Sequence, residues 1–523
     1  MEEIKETVSV NPATGEIIGR TKENSVDDLK QAIIKARAAQ KEWEKLSVNE
    51  RGEHLILIRN YIAQNAERIA LTISKDNGKT RIDALSTEVI PAAMAADYYA
   101  KKGKKLLARK KLSGGNLLFA NKRSYVDRVP FGIIGIISPW NYPFAIPFNE
   151  IMMALISGNA VVLKVASQTQ EVGKIIGEVI NAGQLPEGLF AVLNIPGAIA
   201  GDAFIESGIN KLFFTGSVPI GKKLMAKAAE KLVPVSLELG GNDAMIVCKD
   251  ANLFRAATGA VWAGFSNCGQ SCGGVERVFV EAGIYDDFMK MLREKVNNLR
   301  IGTDENFNTD LGSLTTKSQL QTVQKHIQDA LDKGAVITAK AEPAGVNPNG
   351  LFHPAVILEN VSDNMITMRE ETFGPVIAVK KVENIEEAIK STNDSHLGLT
   401  ASVWTTDRKK AHEIASRIEA GAVSINDHLM SHGLSETPWG GFKESGIGRT
   451  HSYIGVEEMT QPRTVIDDIM PGLQKDMWWH PHNKKVYDGL LGVVNFLYVK
   501  NLSVKVDGFI NMLKLFFGSF VKN

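Results

Sequence analysis

The stretch NCGQSCGG, residues 267–274, holds two of the three cysteines in the chain, Cys268 and Cys272, among glycines. It reads as a metal clip, a disulfide, a pair of buried thiols or a turn that presents a nucleophile. A closed zinc site takes four nitrogen or sulfur ligands, and no CxxC pair helps to build one; no metal is expected. An odd cysteine count suits a reducing compartment better than a disulfide framework. Free cysteine is among the most buried residue types, and that reading is kept for Cys248, in the apolar run MIVCK, and for Cys268.

Cys272 has different company. A thiol attacks as thiolate, from an ordinary pKa of about 8.5. It also needs a base for later steps and donors for a developing oxyanion. VSLELGGND puts Glu238 at the end of an apolar run, just before a Gly-Gly turn. A partly desolvated carboxylate there rises toward the range of a useful base. SPWNYP puts Asn141 at another run end, next to Trp140 and two residues before a proline. Its amide is a neutral oxyanion donor. Alone, the glutamate reads as a solvated strand end and the asparagine as a turn former. Ligands gather at strand ends in α/β sheets, and thiol, carboxylate and amide at three such ends make a set.

These residues need elements to hold them. SVDDLKQAIIKARAAQKEWEKL has helical spacing with Ser25 as N-cap, and residues 26–120 read mainly as helix. From about 125, short apolar runs ending in Gly, Ser or Pro (VPFGIIGIISPW, NAVVLKVA, KLFFTGS, VPVSLELGG) alternate with helices. A second series, DAMIVCKD, GVERVFVEAG, PVIAVKKV, ASVWTTD and AGAVSIND, alternates with helices such as RKKAHEIASRIEAG. This predicts an α/β protein of two mostly parallel sheets. The 523 residues suit two or three domains, and a net charge of +1 gives no electrostatic reason to expect nucleic acid. The N-terminus has neither a basic nor an apolar leader region, so a cytoplasmic location is expected.

The ordered set NPATGE (11–16), PWNYP, VVLK, FFTGS, LELGGND, GQSC, EETFGPV (370–376), IND (425–427) and PWGGFKESGIGR (438–449) resembles the NAD(P)-dependent aldehyde dehydrogenase superfamily. The resemblance implies a Rossmann-like cofactor domain over 1–113 and 132–239 and a catalytic domain over 240–430. A small β element, 114–131 with a strand near 455–467, would serve a homodimer or homotetramer. It implies that Cys272 attacks the aldehyde, that its own N–H and Asn141 hold the oxyanion, and that Glu238 activates the water that hydrolyses a thioester. It implies that NAD or NADP is held by Trp140, Lys164, Ser167, Gly216, Ser217, Ile220, Gly221, Leu239, Glu371 and Phe373. GSVPIG (216–221) is not a GxGxxG fingerprint, and by itself says only that a helix N-terminus with small residues can receive a pyrophosphate.

The chain departs from the pattern in four places. Ser167 stands where a glutamate commonly binds ribose and repels a 2′-phosphate, so NADP is expected to be tolerated. Thr450 stands where a glutamate often follows GIGR, which leaves water activation to Glu238. Gly273 and Gly274 replace bulkier residues, either to give positive φ or to leave room beside the sulfur. Residues 471–523 form an apolar, lysine-rich extension. Tyr487, Leu490, Leu491, Val494, Leu497 and Tyr498 share a helical spacing, as do Phe509, Met512, Leu513, Phe516 and Phe520. Residues 478–520 either touch the cytoplasmic face of a membrane, with Trp478 and Trp479 at the boundary, or pack on the same or a neighbouring subunit. Relatives acting on fatty aldehydes carry such extensions, so medium- or long-chain aliphatic aldehydes are expected, with aromatic ones next. A coenzyme A-acylating enzyme, a non-catalytic protein on the same fold and a membrane-recruited scaffold are the rivals. Glu238 argues against the first, and the Cys, Glu and Asn set argues against the second.

Overall fold

The ends of two parallel-stranded sheets carry the residues singled out above. The computed structural model describes residues 5–115 and 119–519. Residues up to 107 together with 129–461 form one compact unit; 108–128 with 462 onward form another.

In the first unit, a six-stranded sheet runs in the order Gly446–Ile447, Val235–Glu238, Lys211–Thr215, Ile133–Ile137, Ala160–Lys164, Phe190–Leu193. All pairings are parallel except that of Gly446–Ile447 with Val235–Glu238. The three strands Lys211–Thr215, Ile133–Ile137 and Ala160–Lys164 are buried throughout, which requires cover on both faces. The helix Val26–Trp43 supplies part of it. Ser25 caps it in a reciprocal box with Asp28, and Trp43 Nε1 donates to the Leu155 carbonyl at 2.8 Å. Strand order reverses at Ile133–Ile137, whose neighbours come from later in the chain on both sides; such a switch point opens a crevice at the carboxyl ends of the strands.

The second sheet has seven strands in the order Val336–Ala341, Ala355–Glu359, Val376–Val382, Val275–Glu281, Asp243–Val247, Thr400–Trp404, Ala422–Ile425. Only the first pairing is antiparallel. Cys272 precedes the strand Val275–Glu281, so it sits at the start of a strand, not at an end as the expectation from strand ends had it. The helix expected over RKKAHEIASRIEAG stops at Ala415, because Arg417 and Ile418 close turns onto Ile414 and Ala415.

A three-stranded sheet, most of it in the second unit, runs Thr460–Asp468, Lys122–Pro130, Lys110–Lys111. The strand expected from 455 begins at Thr460, since Ser452–Glu458 is a helix. Residues 116–118 of the expected 114–131 element lie outside the described residues. Helices Lys484–Tyr498 and Leu502–Gly518 form an antiparallel hairpin. Glycine decides how close they come. A Cβ on Gly492 would lie 2.6 Å from the Gly508 carbonyl oxygen, and one on Gly508 equally close to that of Gly492. Val486, Gly489 and Val493 therefore face inward, while Tyr487, Leu491, Val494 and Tyr498 are exposed. Phe520 of the second expected stripe lies outside the described residues.

Candidate active site

The turn that carries Cys272 is left-handed. Asn267, Cys268 and Gly269 have φ of 51°, 57° and 72°, a conformation that non-glycine residues rarely take unless their surroundings enforce it. Asp83 accepts from Ser266 Oγ at 3.0 Å and from the Asn267 N–H at 3.1 Å. Asn267 Nδ2 donates to the carbonyls of Asn141 at 2.9 Å and Gln270 at 3.1 Å. Gly269 must be glycine, because a Cβ there would lie 2.0 Å from the Gly374 carbonyl oxygen. Beyond the sulfur, the Gly273 carbonyl meets His428 Nε2 at 2.9 Å. Cys268 is a packed neighbour, 1% exposed, with its thiol pushed up to about 12 by burial.

Gly273 and Gly274 do not take positive φ, so backbone geometry is not their reason. A Cβ on Gly273 would lie 2.8 Å from the Trp439 ring and 3.2 Å from Thr400 Cγ2, and one on Gly274 would lie 3.2 Å from the Ala263 carbonyl oxygen. They permit close packing of the turn.

Burial pushes the Cys272 thiol well up, and the carboxyls of Glu371, Asp243 and Glu238 add to it, while the Gly273 N–H favours the thiolate. The Cys272 N–H has no acceptor among the described residues, which leaves it free for an incoming oxyanion. Asn141 Nδ2 spends one hydrogen on the Gln270 carbonyl at 3.1 Å and keeps a second. Its own carbonyl accepts from Lys79 Nζ at 2.8 Å, which fixes the backbone. Glu238 ends its strand, with its carbonyl accepting from the Gly216 N–H at 3.0 Å. Neither of its carboxylate oxygens has a hydrogen-bond partner among the described residues. Burial, and then the neighbouring Glu150, push it well up, against the pull of Arg449.

Three cavities meet at Cys272. The first, about 250 Å³, is a cleft that brings Trp140, Asn141, Gly216, Ser217, Glu238, Leu239, Glu371 and Phe373 together with the sulfur. Its composition fits a dinucleotide. The helix Val218–Lys231 opens there with Ser217 as N-cap and no side-chain cap, so first-turn N–H groups can receive a pyrophosphate. Phe373 stands edge-on to Trp140 at 5.4 Å, and Glu371 accepts from the Gly241 N–H at 3.1 Å. Of the other sequence candidates, Lys164, Ser167, Ile220 and Gly221 do not line this cleft. Lys164 ends the adjacent strand, buried and with no partner among the described residues; burial pulls its ammonium down to about 8. An unpaired buried cation is costly, and a hydroxyl-rich, anionic ligand would relieve it. Ser167 begins the short turn that follows. Ile220 is exposed on the first turn of the helix, and a Cβ on Gly221 would lie 2.6 Å from Leu239.

The second cavity, about 160 Å³, runs from Cys272 between Ile90, Met94, Tyr142, Trp262, Met430, Leu434 and Trp439, and no lysine, arginine, aspartate or glutamate lines it. The third, about 10 Å³, lies between Cys272, Glu238, Glu150, Thr450, His432 and His451. Sequence reasoning missed Glu150, His432, Trp439 and His451. Only Glu150 announced itself, as the one charged residue in AIPFNEIMMALI, a helix buried at every position.

The sequence model of the aldehyde dehydrogenase family matches residues 1–465. A 4,4'-diapolycopene aldehyde oxidase from Methylomonas is 34% identical over 490 residues, 94% of this chain and 91% of that one. A putative NADP+ succinate-semialdehyde dehydrogenase from Mycolicibacterium smegmatis is 37% identical over 443 residues, 84% of each chain. Among solved structures, the NAD+ complex of a Bacillus cereus aldehyde dehydrogenase is similar with a TM-score of 0.84 and 31% identity, over 89% of this chain and 94% of that one. A putative aldehyde dehydrogenase from Burkholderia cenocepacia is similar with a TM-score of 0.86 and 30% identity, over 92% and 96%.

Proposed function

The chain belongs to the aldehyde dehydrogenase family, NAD(P)+-dependent oxidoreductases, and we propose that its substrates are apolar aldehydes: medium- or long-chain aliphatic first, aromatic next. The lining of the second cavity carries this reading. A semialdehyde such as succinate semialdehyde ends in a carboxylate, and a buried carboxylate needs a cation or several donors. The cavity has no lysine or arginine, its Ser86 and Thr87 hydroxyls already donate to the Ile82 and Asp83 carbonyls, and burial holds its His432 neutral, down to about 4. The relative named for a diapolycopene aldehyde is in keeping with this, and the relatives named for succinate semialdehyde are not.

In the proposed mechanism, the Cys272 thiolate adds to the carbonyl carbon, and the oxygen of the thiohemiacetal takes up the Cys272 N–H and the spare Asn141 amide hydrogen. Bound NAD+ or NADP+ supplies the hydride acceptor. Trp140, Ser217, Glu371 and Phe373 line the cleft that orients it. Oxidation leaves a thioester on Sγ. Glu238, on the same cavity wall, takes a proton from the water that cleaves it, and the acid departs. A base at this position favours hydrolysis over transfer to coenzyme A. Ser167 puts no carboxylate beside the site of a 2′-phosphate, so NADP+ is accepted as well as NAD+.

NAD(P)H formation across an aldehyde panel tests the reading. Activity is expected to climb from two carbons to eight and beyond, with succinate semialdehyde poor. An optimum at two or three carbons, or on the semialdehyde, sinks it.

A further inference from the structure

We infer that Glu150 and Glu238 are a carboxyl pair joined through a single water, in which Glu150 takes the resting proton of Glu238 and so makes it a base. The inference rests on the reading above, in which Cys272 is acylated and Glu238 activates water.

Glu150 has no structural partner. It is 2% exposed on the helix Ala145–Ile156, every residue of which is buried. Its polar neighbour Asn149 donates to the Ala145 carbonyl, and the nearby buried Glu88 is paired with Lys79 Nζ at 2.6 Å. Glu150 has neither hydrogen bond nor ion pair among the described residues. An unpaired buried carboxyl costs stability that an aliphatic side chain of similar size would not. The fold does not use it.

What Glu150 faces is the third cavity. About 10 Å³ of free volume is room for roughly one water, which needs two to four polar partners. The walls supply them: Glu150, Glu238, Thr450 and His451, whose Nδ1 has no partner among the described residues. The sulfur of Cys272 lines the same cavity, so a water held there would lie between the two carboxyls and beside the group that carries the acyl chain. Thr450, which cannot hold a carboxylate's proton, shares the wall with Glu150, a carboxyl from a different element.

The other titratable groups around the helix are committed. Glu458 is bound to Lys211 and Ser236. Arg449 donates to the carbonyls of Gly441 and Gly448. The phenols of Tyr99 and Tyr142 are pushed up by burial, and the imidazoles of His432 and His451 are pushed down by it. Arg51 stays cationic, pulled down by burial only to about 10. The pair itself is left to exchange protons. Two carboxyls in one dry cavity ionise one at a time. Burial raises Glu150 to about 8 and raises Glu238 well above the ordinary carboxylate range, so near neutral pH the pair still holds a proton. A proton held on Glu238 leaves no base there. Its transfer through the water to Glu150 leaves Glu238 as carboxylate. Glu238 next takes H+ from the attacking water, the hydroxide oxygen bonds to the acyl carbon, the C–S bond breaks and the thiolate departs. The pair then holds two protons, and Glu150 releases one.

Deacylation can be followed without cofactor. An activated octanoyl ester acylates a thiol directly, and acid-quenched intact-protein mass spectrometry then times the loss of the acyl group from Cys272 in the full chain. In the unaltered protein, deacylation is expected to rise with pH through a limb near 8, the ionisation of Glu150. Glu150→Gln is expected to lose that limb and to slow deacylation about tenfold or more. Glu150→Asp keeps a carboxyl and is expected to keep the limb with a partly lowered rate, which guards against a folding defect. Unchanged deacylation in Glu150→Gln, or a slower rate with the limb intact, overturns the inference. Glu238→Gln should hold the acyl group at every pH; if it deacylates normally, or if no acyl group appears on Cys272, the underlying reading falls and this one with it.

Discussion

Three carboxyls raise the Cys272 thiol that they surround, and burial raises it first. The sign follows: the thiolate fraction climbs with pH and has not levelled off by the ordinary thiol range. Alkylation of Cys272 by iodoacetamide in the cofactor-free protein is therefore expected to rise about tenfold per pH unit from 7 to 10. A plateau beginning near 8 would contradict it. Asn141→Ala removes an oxyanion donor and should lower kcat about 10²- to 10³-fold with KM little changed, read from initial rates of NAD(P)H formation. Ser167→Glu should lower kcat/KM for NADP+ about tenfold or more and leave NAD+ near its starting value, since only the 2′-phosphate meets the new charge. These side chains were legible because their chemistry is unusual where they stand: a thiol among glycines, a carboxylate at the end of an apolar run. His451 and Trp439 were not. An imidazole or an indole in a loop reads like any other until a distant segment closes over it, and only the fold brings Trp439 against Gly273.

At the scale of elements, period and turn chemistry carried the strands. Runs such as AVVLK and KLFFT are buried throughout, and apolar but for Lys164, Lys211 and Thr215, because both faces of their sheet are covered. What the pattern hides is conformation that owes its stability to distant bonds. Little in NCGQ by itself demands a left-handed turn; the distant Asp83 and Asn141 hold it, with the Gln270 carbonyl adding one bond within the stretch. Asp83→Ala should release it. The expectation is a loss of roughly 1–3 kcal/mol in denaturant unfolding, the cost of buried donors left unpaired, with a larger proportional fall in kcat than in stability as Cys272 loses its aim. The hairpin teaches the same lesson in reverse. Aromatic and aliphatic residues at helical spacing drew attention, yet the packed face is the one with Gly489, Gly492 and Gly508, since small residues let backbones approach and large ones need not be inside.

At the scale of the whole molecule, that reversal leaves an apolar surface to be accounted for. Leu491, Val494, Tyr498, Leu502, Val506 and Phe517 are all exposed, Tyr498 and Leu502 by about three quarters of their surface. No helix among the described residues is long and apolar enough to cross a membrane, so an attached face, not a span, is the relevant geometry. Five lysines against two aspartates lie within the hairpin 484–518, and each lysine near an anionic surface contributes about 1 kcal/mol. An anionic bilayer is one surface that such a face would fit. The alternative, a second subunit seated on the same residues, differs in its response to salt. Interfacial attachment through lysines weakens as screening increases, whereas an apolar subunit contact does not. Flotation with vesicles containing phosphatidylserine is expected to carry the full chain at low salt and to lose it at about 0.5 M. Leu491→Glu with Val494→Glu should abolish flotation while the rate with hexanal is unchanged. If the unaltered chain stays at the bottom of the gradient and the double variant halves the mass measured by light scattering, the face belongs to another subunit.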